Sequence, residues 1–421
     1  MPKTKSADEL VFLPLGGSGE IGMNLNAYGF GPPDERVWII VDIGITFGGS
    51  QTPGVEIILP DPTFLENERH NILGIVLTHA HEDHIGAIGW LWPRLKVPVF
   101  ATPFTAALVR EKLKEHGLLD RVKLTEVALG GRFELGPFDI EYVTLTHSIP
   151  EPNGLAIRTP LGLIWHTGDW KIDPDPIIGA LTDSAKVKSL AQEGILAMVC
   201  DSTNVFVEGT AGSEADVRAN LAEVIAGCTG KVAVTAFASN VARLDSTVRA
   251  AHAAGRTVCL VGRSMHKVVG AAKSVGLLSG LPEVVTEAES VHFDPHEILY
   301  LCTGSQGEGR AALGRIAGGS HRHVRLGEGD TFHGEGILAV TKALLQSGVS
   351  YVGGYQGAPV SHLLDVMVQA KPLMDELGVH VEACANEASA AAMLGASIHY
   401  PLRGAVTWKS IVGTNVASDA L

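Results

Sequence analysis

The sequence predicts an α/β protein, on three observations. Short apolar runs recur along the 421 residues, and most break into a polar turn that opens a helix-like pattern. Those turns collect histidine, aspartate, serine and asparagine. Glycine, at 49 residues, supplies the tight turns such a chain needs. Strand–turn–helix repetition implies parallel strands joined by crossover helices, with ligands gathered at the strand C-terminal ends.

Taken in order, Val11–Leu15 is the first strand, followed by Gly16-Gly-Ser-Gly-Glu-Ile-Gly-Met-Asn24. Four glycines in seven residues either cradle a phosphate or let the backbone turn sharply beneath a metal site. Val37–Asp42 is a buried strand whose terminal Asp42 is expected to organise hydrogen bonds rather than bind a ligand. The apolar run Ile75–Leu77 leads into Thr78-His79-Ala80-His81-Glu82-Asp83-His84, and a helix can start at Ile85. Alternate spacing points His79 and His81 the same way. Imidazole and carboxylate donors together suit zinc or manganese, and a partly filled site keeps a water to activate.

Pro98–Ala101 is a strand, and Thr102-Pro103-Phe104 opens a helix that Thr102 can cap and Gly117 can end. Phe138–Leu145 alternates as a strand and ends at His147. Leu161–Trp165 ends at His166-Thr-Gly-Asp169. His147 and Asp169 read as further metal ligands and His166 as structural. From Met198 the pattern repeats. Strands at 198–200, 232–236, 258–261 and 298–302 run into Asp201, Ser239-Asn240, Arg263-Ser264 and Ser305-Gln306, and helices follow the last three. Small polar residues at helix N-termini offer backbone N–H groups to phosphate. The same residues also serve as plain helix caps.

A formal net charge of −14 argues against indiscriminate binding to polyanions, while leaving room for an amide-lined groove. The first residues carry no apolar signal core and no run approaches a membrane span, so a cytoplasmic protein without membrane partners is expected. Cys200, Cys228, Cys259, Cys302 and Cys384 lack C-x-x-C spacing and are expected as buried free thiols.

These motifs resemble the metallo-β-lactamase superfamily, in its β-CASP ribonuclease J branch, over about residues 10–331. The resemblance is carried by Gly16–Asn24, Val41-Asp-Ile-Gly44, His79-x-His81-x-Asp83-His84, Thr146-His-Ser-Ile-Pro-Glu151 and His166-Thr-Gly-Asp-Trp-Lys171. It continues through Asp201-Ser-Thr-Asn204, Phe237-Ala-Ser-Asn240, Val261-Gly-Arg-Ser264 and Leu301-Cys-Thr-Gly-Ser-Gln-Gly-Glu308.

The resemblance implies an αββα sandwich over 1–200 and a β-CASP α/β domain over 201–331, both incomplete. It implies His79, His81 and His147 around one divalent cation, Asp83 and His84 around a second, and Asp169 bridging. Zinc is the first expectation, with manganese or magnesium as alternatives. Asp83 and Asp169 are then catalytic, acting in the hydrolysis of RNA phosphodiesters, by 5′-to-3′ exonucleolytic and endonucleolytic cleavage. A 5′-monophosphorylated single strand is the preferred partner. Ser239, Asn240, Arg263, Ser264, Ser305 and Gln306 are candidates for holding the RNA, and Asp42 and Asp201 for shaping the site. Later histidine motifs of that family and its C-terminal dimerisation domain are not recognisable, which predicts a weaker second metal site and leaves homo-oligomerisation open.

Residues 334–421, within a third fragment spanning 332–421, resemble instead the start of thiamine-diphosphate-dependent indolepyruvate ferredoxin oxidoreductases. Gly353-Gly-Tyr-Gln-Gly-Ala-Pro359, Ala385-Asn-Glu-Ala-Ser-Ala390 and Val412-Gly-Thr-Asn-Val-Ala-Ser-Asp419 carry that likeness, with Glu387 at the aminopyrimidine-binding position. The match stops inside one domain, so functional binding of thiamine diphosphate is not expected. Two other readings stand beside the ribonuclease: a hydrolase of this fold acting on a thioester or lactam, and a non-catalytic chimera.

Overall fold

The computed structural model describes residues 7–48, 52, 54–304, 311–317, 319–325, 331–333, 345, 350–354, 361–384 and 404–407. The chain divides into two compact units. The first holds Met1–Ala219, Ser239–Asp245 and Lys267–Gly280, and the second holds Asn220–Ala238, Ser246–His266 and Leu281–Leu421.

In the first unit, strands β1 (Glu9–Gly16), β2 (Leu25–Gly31) and β3 (Val37–Val41) form antiparallel neighbours. A small hairpin, β4 (Thr46–Phe47) and β5 (Ile57–Ile58), precedes helix α1 (Thr63–Asn67). The sheet continues in parallel through β6 (Ile72–Val76), β7 (Val99–Ala101) and β8 (Leu124–Glu126). Its crossovers carry α2 (Glu82–Ile85), α3 (Ile88–Leu95) and α4 (Pro103–Glu115).

A second sheet runs in the order β13-β12-β11-β10-β9. Its strands are β9 (Arg132–Leu135), β10 (Phe138–Thr144), β11 (Asn153–Thr159), β12 (Gly162–His166) and β13 (Ile195–Val199). Alternation along β10 and β11 makes the two sheets a sandwich. Tyr28, Ile39, Val41 and Val76 from one sheet pack on Phe138, Ile140, Tyr142, Leu155 and Ile157 from the other. The far face of the second sheet is covered by α5 (Ser184–Glu193), whose Leu190 is buried against Val143, Ala156 and Trp165. Helix α4 packs on β7 and β8 across the other far face, completing an αββα order.

The second unit contains an all-parallel sheet in the order β16-β15-β17-β14-β18. Its strands are β14 (Val232–Thr235), β15 (Thr257–Val261), β16 (Val284–Val285), β17 (Ile298–Cys302) and β18 (Thr331–His333). Along the chain, helices α6 (Glu214–Ala226), α7 (Val241–Ala253), α8 (Arg263–Ser274) and α9 (Ala312–Ala317) alternate with these strands, as the repeating pattern requires, and α6, α7 and α8 each contribute residues to both units. Strand β18 crosses the boundary at 331/332 read from the sequence. Further on, β19 (Tyr351–Gly354), β20 (His380–Ala383) and β21 (Gly404–Thr407) make a separate parallel sheet with helices Ser361–Gln369 and Lys371–Glu376.

Three local expectations change. The strand at Met198 is not the first of the repeating series; it is β13, parallel to β12 in the sandwich. Helix α4 begins at Pro103 without a side-chain cap from Thr102, whose hydroxyl turns to Thr105 instead. The free Phe104 N–H is met by the Glu151 carboxylate at 2.8 Å, a partner 47 residues away that local spacing could not reveal. Finally, Cys259 and Cys302 are buried, but Cys200 is exposed because it follows the edge strand β13.

Candidate metal centre

The site forms where β3, β6, β10 and β12 end. Strand β6 stops at Val76, and His79 follows, fully buried. His81 has extended backbone and stands at the N-terminus of α2, its carbonyl accepting from His84 N at 3.0 Å and Ile85 N at 2.9 Å. The helix therefore starts three residues before the expected Ile85, and it places Asp83 and His84 on its first turn. His84 points into the core at 2% exposure, while Asp83 is half-buried. This tight entry requires Gly44, because a Cβ there would lie 1.6 Å from the Asp83 carbonyl oxygen.

The glycine-rich 16–24 segment takes the second of its two readings. It turns beneath the histidine motif, with Asn24 N–H donating to the Asp83 carbonyl at 2.9 Å and Gly44 N–H to the Asn24 carbonyl at 2.8 Å. Asn24 Nδ2 also reaches 3.1 Å from His84 Nε2, a contact with no sequence signal.

His79, His81, His147 and Asp169 bring one potential ligand atom each to within 4.8 Å of one another, and so do Asp83, His84 and Asp169. Asp169 is common to both clusters. Its carboxylate oxygens are 3.3 Å from His84 Nε2 and 3.8 Å from His147 Nε2. Asp169 reaches this point because Gly168 adopts φ +58 immediately before it. His79 Nε2 and His81 Nδ1 lie 3.1 Å apart, and both rings meet His147 edge-on.

Asp42 lies outside both clusters and organises them. Its Oδ1 accepts from Thr78 N–H at 2.8 Å, and its Oδ2 from Thr78 Oγ1 at 2.8 Å and His84 Nδ1 at 2.7 Å. A carboxylate only accepts, so His84 carries its proton on Nδ1 and turns Nε2 toward Asp169. The Thr78 hydroxyl, having given its proton to Asp42, accepts from His79 Nδ1 at 3.0 Å, which leaves His79 Nε2 free of a proton.

The electrostatics divide the donors. Burial pushes His79 well below the ordinary imidazole value, with His84, His81 and His147 adding to the effect. Burial likewise lowers His81 to about 3 and lowers His147. Burial also disfavours a charged His84, but Asp42 and Asp169 outweigh it and hold the ring well above its usual value. Burial would raise Asp169, yet His84, His147 and His81 keep it well below the carboxylate range. Burial raises Asp83, against the pull of His84. Three neutral imidazoles and a carboxylate are the donor set a zinc-like cation takes.

Other expected residues fall in several places. His166 is buried and hydrogen-bonded through Nδ1 to Tyr28 OH at 2.8 Å, as a structural residue. Asp201 folds its own turn, accepting Thr203 N–H at 2.9 Å and Thr203 Oγ1 at 2.7 Å. Asn240 is spent as the cap of α7, accepting Arg243 N–H at 2.9 Å, with its amide 3.4 Å from Glu214. Ser239 is half-buried, and Arg263 and Ser264 are exposed on the first turn of α8. Ser305, Gln306 and Glu387 lie outside the described residues.

Fold and donor set together define a metallo-β-lactamase domain, which supports divalent-metal binding. A beta-lactamase superfamily domain model matches residues 38–191, and a ribonuclease J beta-CASP domain model matches residues 229–334. The chain is 49% identical over 324 residues to a ribonuclease J of Sinorhizobium meliloti, covering 77% of this chain and 57% of that protein. It is 38% identical over 331 residues to a ribonuclease J of Thermus thermophilus, again covering 77% of this chain and 57% of the relative. The chain thus carries a beta-lactamase superfamily domain over 38–191 and a ribonuclease J beta-CASP domain over 229–334, and it spans a little over half the length of these ribonuclease J relatives. A solved Enterococcus faecalis protein of unknown function shares the fold at TM-score 0.52 and 13% identity, covering 95% of this chain and 98% of that one.

Proposed function

We propose that this chain is a metal-dependent ribonuclease that hydrolyses RNA phosphodiester bonds, by 5′-to-3′ exonucleolytic and by endonucleolytic cleavage. The observation that carries the reading is one carboxylate, Asp169, shared between two donor clusters. His79, His81, His147 and Asp169 would hold the first cation, and Asp83, His84 and Asp169 the second, with zinc preferred over manganese or magnesium. Bound there, the cations supply Lewis-acid stabilisation to both the attacking and leaving oxygens of a phosphodiester. Asp83 orients the attacking water and takes its proton. Asp42 and Thr78 keep the Nε2 atoms of His79 and His84 turned toward the centre.

The substrate is single-stranded RNA with a 5′ monophosphate, held in part by Ser239, Arg263 and Ser264. The β-CASP match favours RNA over a thioester or lactam, because small substrates need no such domain. The protein acts in the cytoplasm; among the described residues no helix is long and apolar enough to cross a membrane. Association into homo-oligomers is compatible with this role. No thiamine-diphosphate chemistry is proposed.

The test is metal analysis joined to cleavage of a 5′-monophosphorylated RNA by the full chain. Two equivalents of divalent cation with turnover are expected, and Asp83→Ala is expected to lower turnover by at least about 100-fold while keeping the first cation. Metal uptake without RNA cleavage, together with thioester hydrolysis, would replace this reading.

A further inference from the structure

Thr146 immediately precedes His147 at the end of β10 and is 2% exposed. Its carbonyl accepts Lys171 N–H at 2.8 Å. Its hydroxyl donates to the Lys171 carbonyl at 2.5 Å, accepts Asp173 N–H at 3.1 Å, and lies 2.9 Å from Thr182 Oγ1. A hydroxyl has one proton and two lone pairs. With the proton given to Lys171, both lone pairs face donors, so Thr182 is the donor in its pair. The capacity of this one buried oxygen is fully used.

Lys171 stands two residues beyond Asp169. The bonds from Thr146 therefore lace the turn carrying His147 to the turn carrying Asp169. Those two side chains come from separate strands, β10 and β12, which are not neighbours in the sheet. Strand pairing relates their ends only through the intervening β11, and the Thr146 bonds tie the two turns to each other directly.

We infer that Thr146 is a positioning residue for metal binding, fixing His147 against Asp169 so that the first donor cluster closes. It touches no substrate and donates no ligand atom to either cluster. The inference rests on the two-metal reading above. Partners that orient metal ligands typically change affinity about 10–100-fold when removed.

The test uses the full chain, with zinc affinity from chelator competition and the visible spectrum of the cobalt-substituted protein. Thr146→Val keeps the shape and removes the hydroxyl. It is expected to weaken the tighter zinc site about 10–100-fold and to alter the cobalt spectrum. Thr146→Ser restores the hydroxyl and is expected to return both readouts close to the parent. Thr182→Val removes one bond to Thr146 but none between the two turns, and is expected to bind zinc like the parent. If Thr146→Val does not fold, the Ser and Ala variants at this position read the hydroxyl instead, with the same difference expected. Equal zinc affinity with and without the hydroxyl overturns the inference and leaves the metal reading standing. No metal uptake by the parent chain overturns the metal reading, and the inference with it.

Discussion

At the scale of single residues, the centre separates side chains that supply ligand atoms from those that aim them. His79, His81, Asp83 and His84 are legible in the sequence because four donors fall within six residues at a strand end. Asn24, Thr78 and Thr146 are not. Each is a lone polar residue whose partner comes from elsewhere in the fold or through another side chain, and no spacing rule reaches that far. Asp42 shows how firmly the aiming is done. It sits at φ +64, a backbone conformation uncommon for a residue with a side chain, and three hydrogen bonds to its carboxylate accompany it. The donor counts lead to a prediction. The first cluster has four side chains and the second has three, with Asp169 common to both. Isothermal titration with zinc is expected to resolve a tighter and a weaker site. Asp83→Ala is expected to abolish only the weaker one. Two equal affinities would count against this division.

At the scale of elements, the three central strands of the parallel β-CASP-like sheet are read almost residue for residue from the sequence, while its short outer strands β16 and β18 are not read at all. Ile298–Cys302 is a strand in both, and each of its neighbours begins within one residue of its expected start. Continuous apolar runs buried on both faces give a strong local signal. Element ends are less legible where distant side chains set them. Helix α6 shows this: its Glu214 N–H donates to Asp173 Oδ2 at 3.1 Å, from a loop 41 residues earlier. Asp173 also pairs with Lys171 Nζ at 3.2 Å. Burial alone would raise the Asp173 carboxyl, but the Asp175 and Glu214 amides, the Ser213 hydroxyl and Lys171 outweigh it and lower its pKa. A carboxylate lowered in the folded state contributes stability that is complete above its unfolded value, here the ordinary 3.8, and is lost as pH falls through the folded value. Denaturant titrations of the metal-free chain at successive pH values check this. Asp173→Asn is expected to cost about 1–3 kcal/mol at neutral pH. Its penalty relative to the parent is then expected to shrink as pH falls below about 4. A penalty constant with pH would show that the charge of Asp173 is not what holds the start of α6.

At the scale of the whole molecule, the net charge of −14 keeps like chains apart, but one edge of the sandwich works against it. Among the described residues strand β13 ends its sheet, and its Ile195, Leu196 and Met198 are 37%, 60% and 61% exposed. Phe206, in the turn soon after, is 95% exposed. An apolar edge strand offers unpaired backbone donors and acceptors to any second strand, and charged residues are the usual protection. Ile195–Val199 contains none. This chain is therefore expected to associate with increasing concentration, through β13. Sedimentation velocity across a concentration series measures it. Leu196→Lys with Met198→Lys places two positive charges on the edge. The double variant is expected to remain monomeric at concentrations where the parent associates, with zinc binding retained, because neither residue approaches the metal ligands in sequence or belongs to their clusters. Association that persists unchanged in the double variant would place the sticking surface somewhere other than β13.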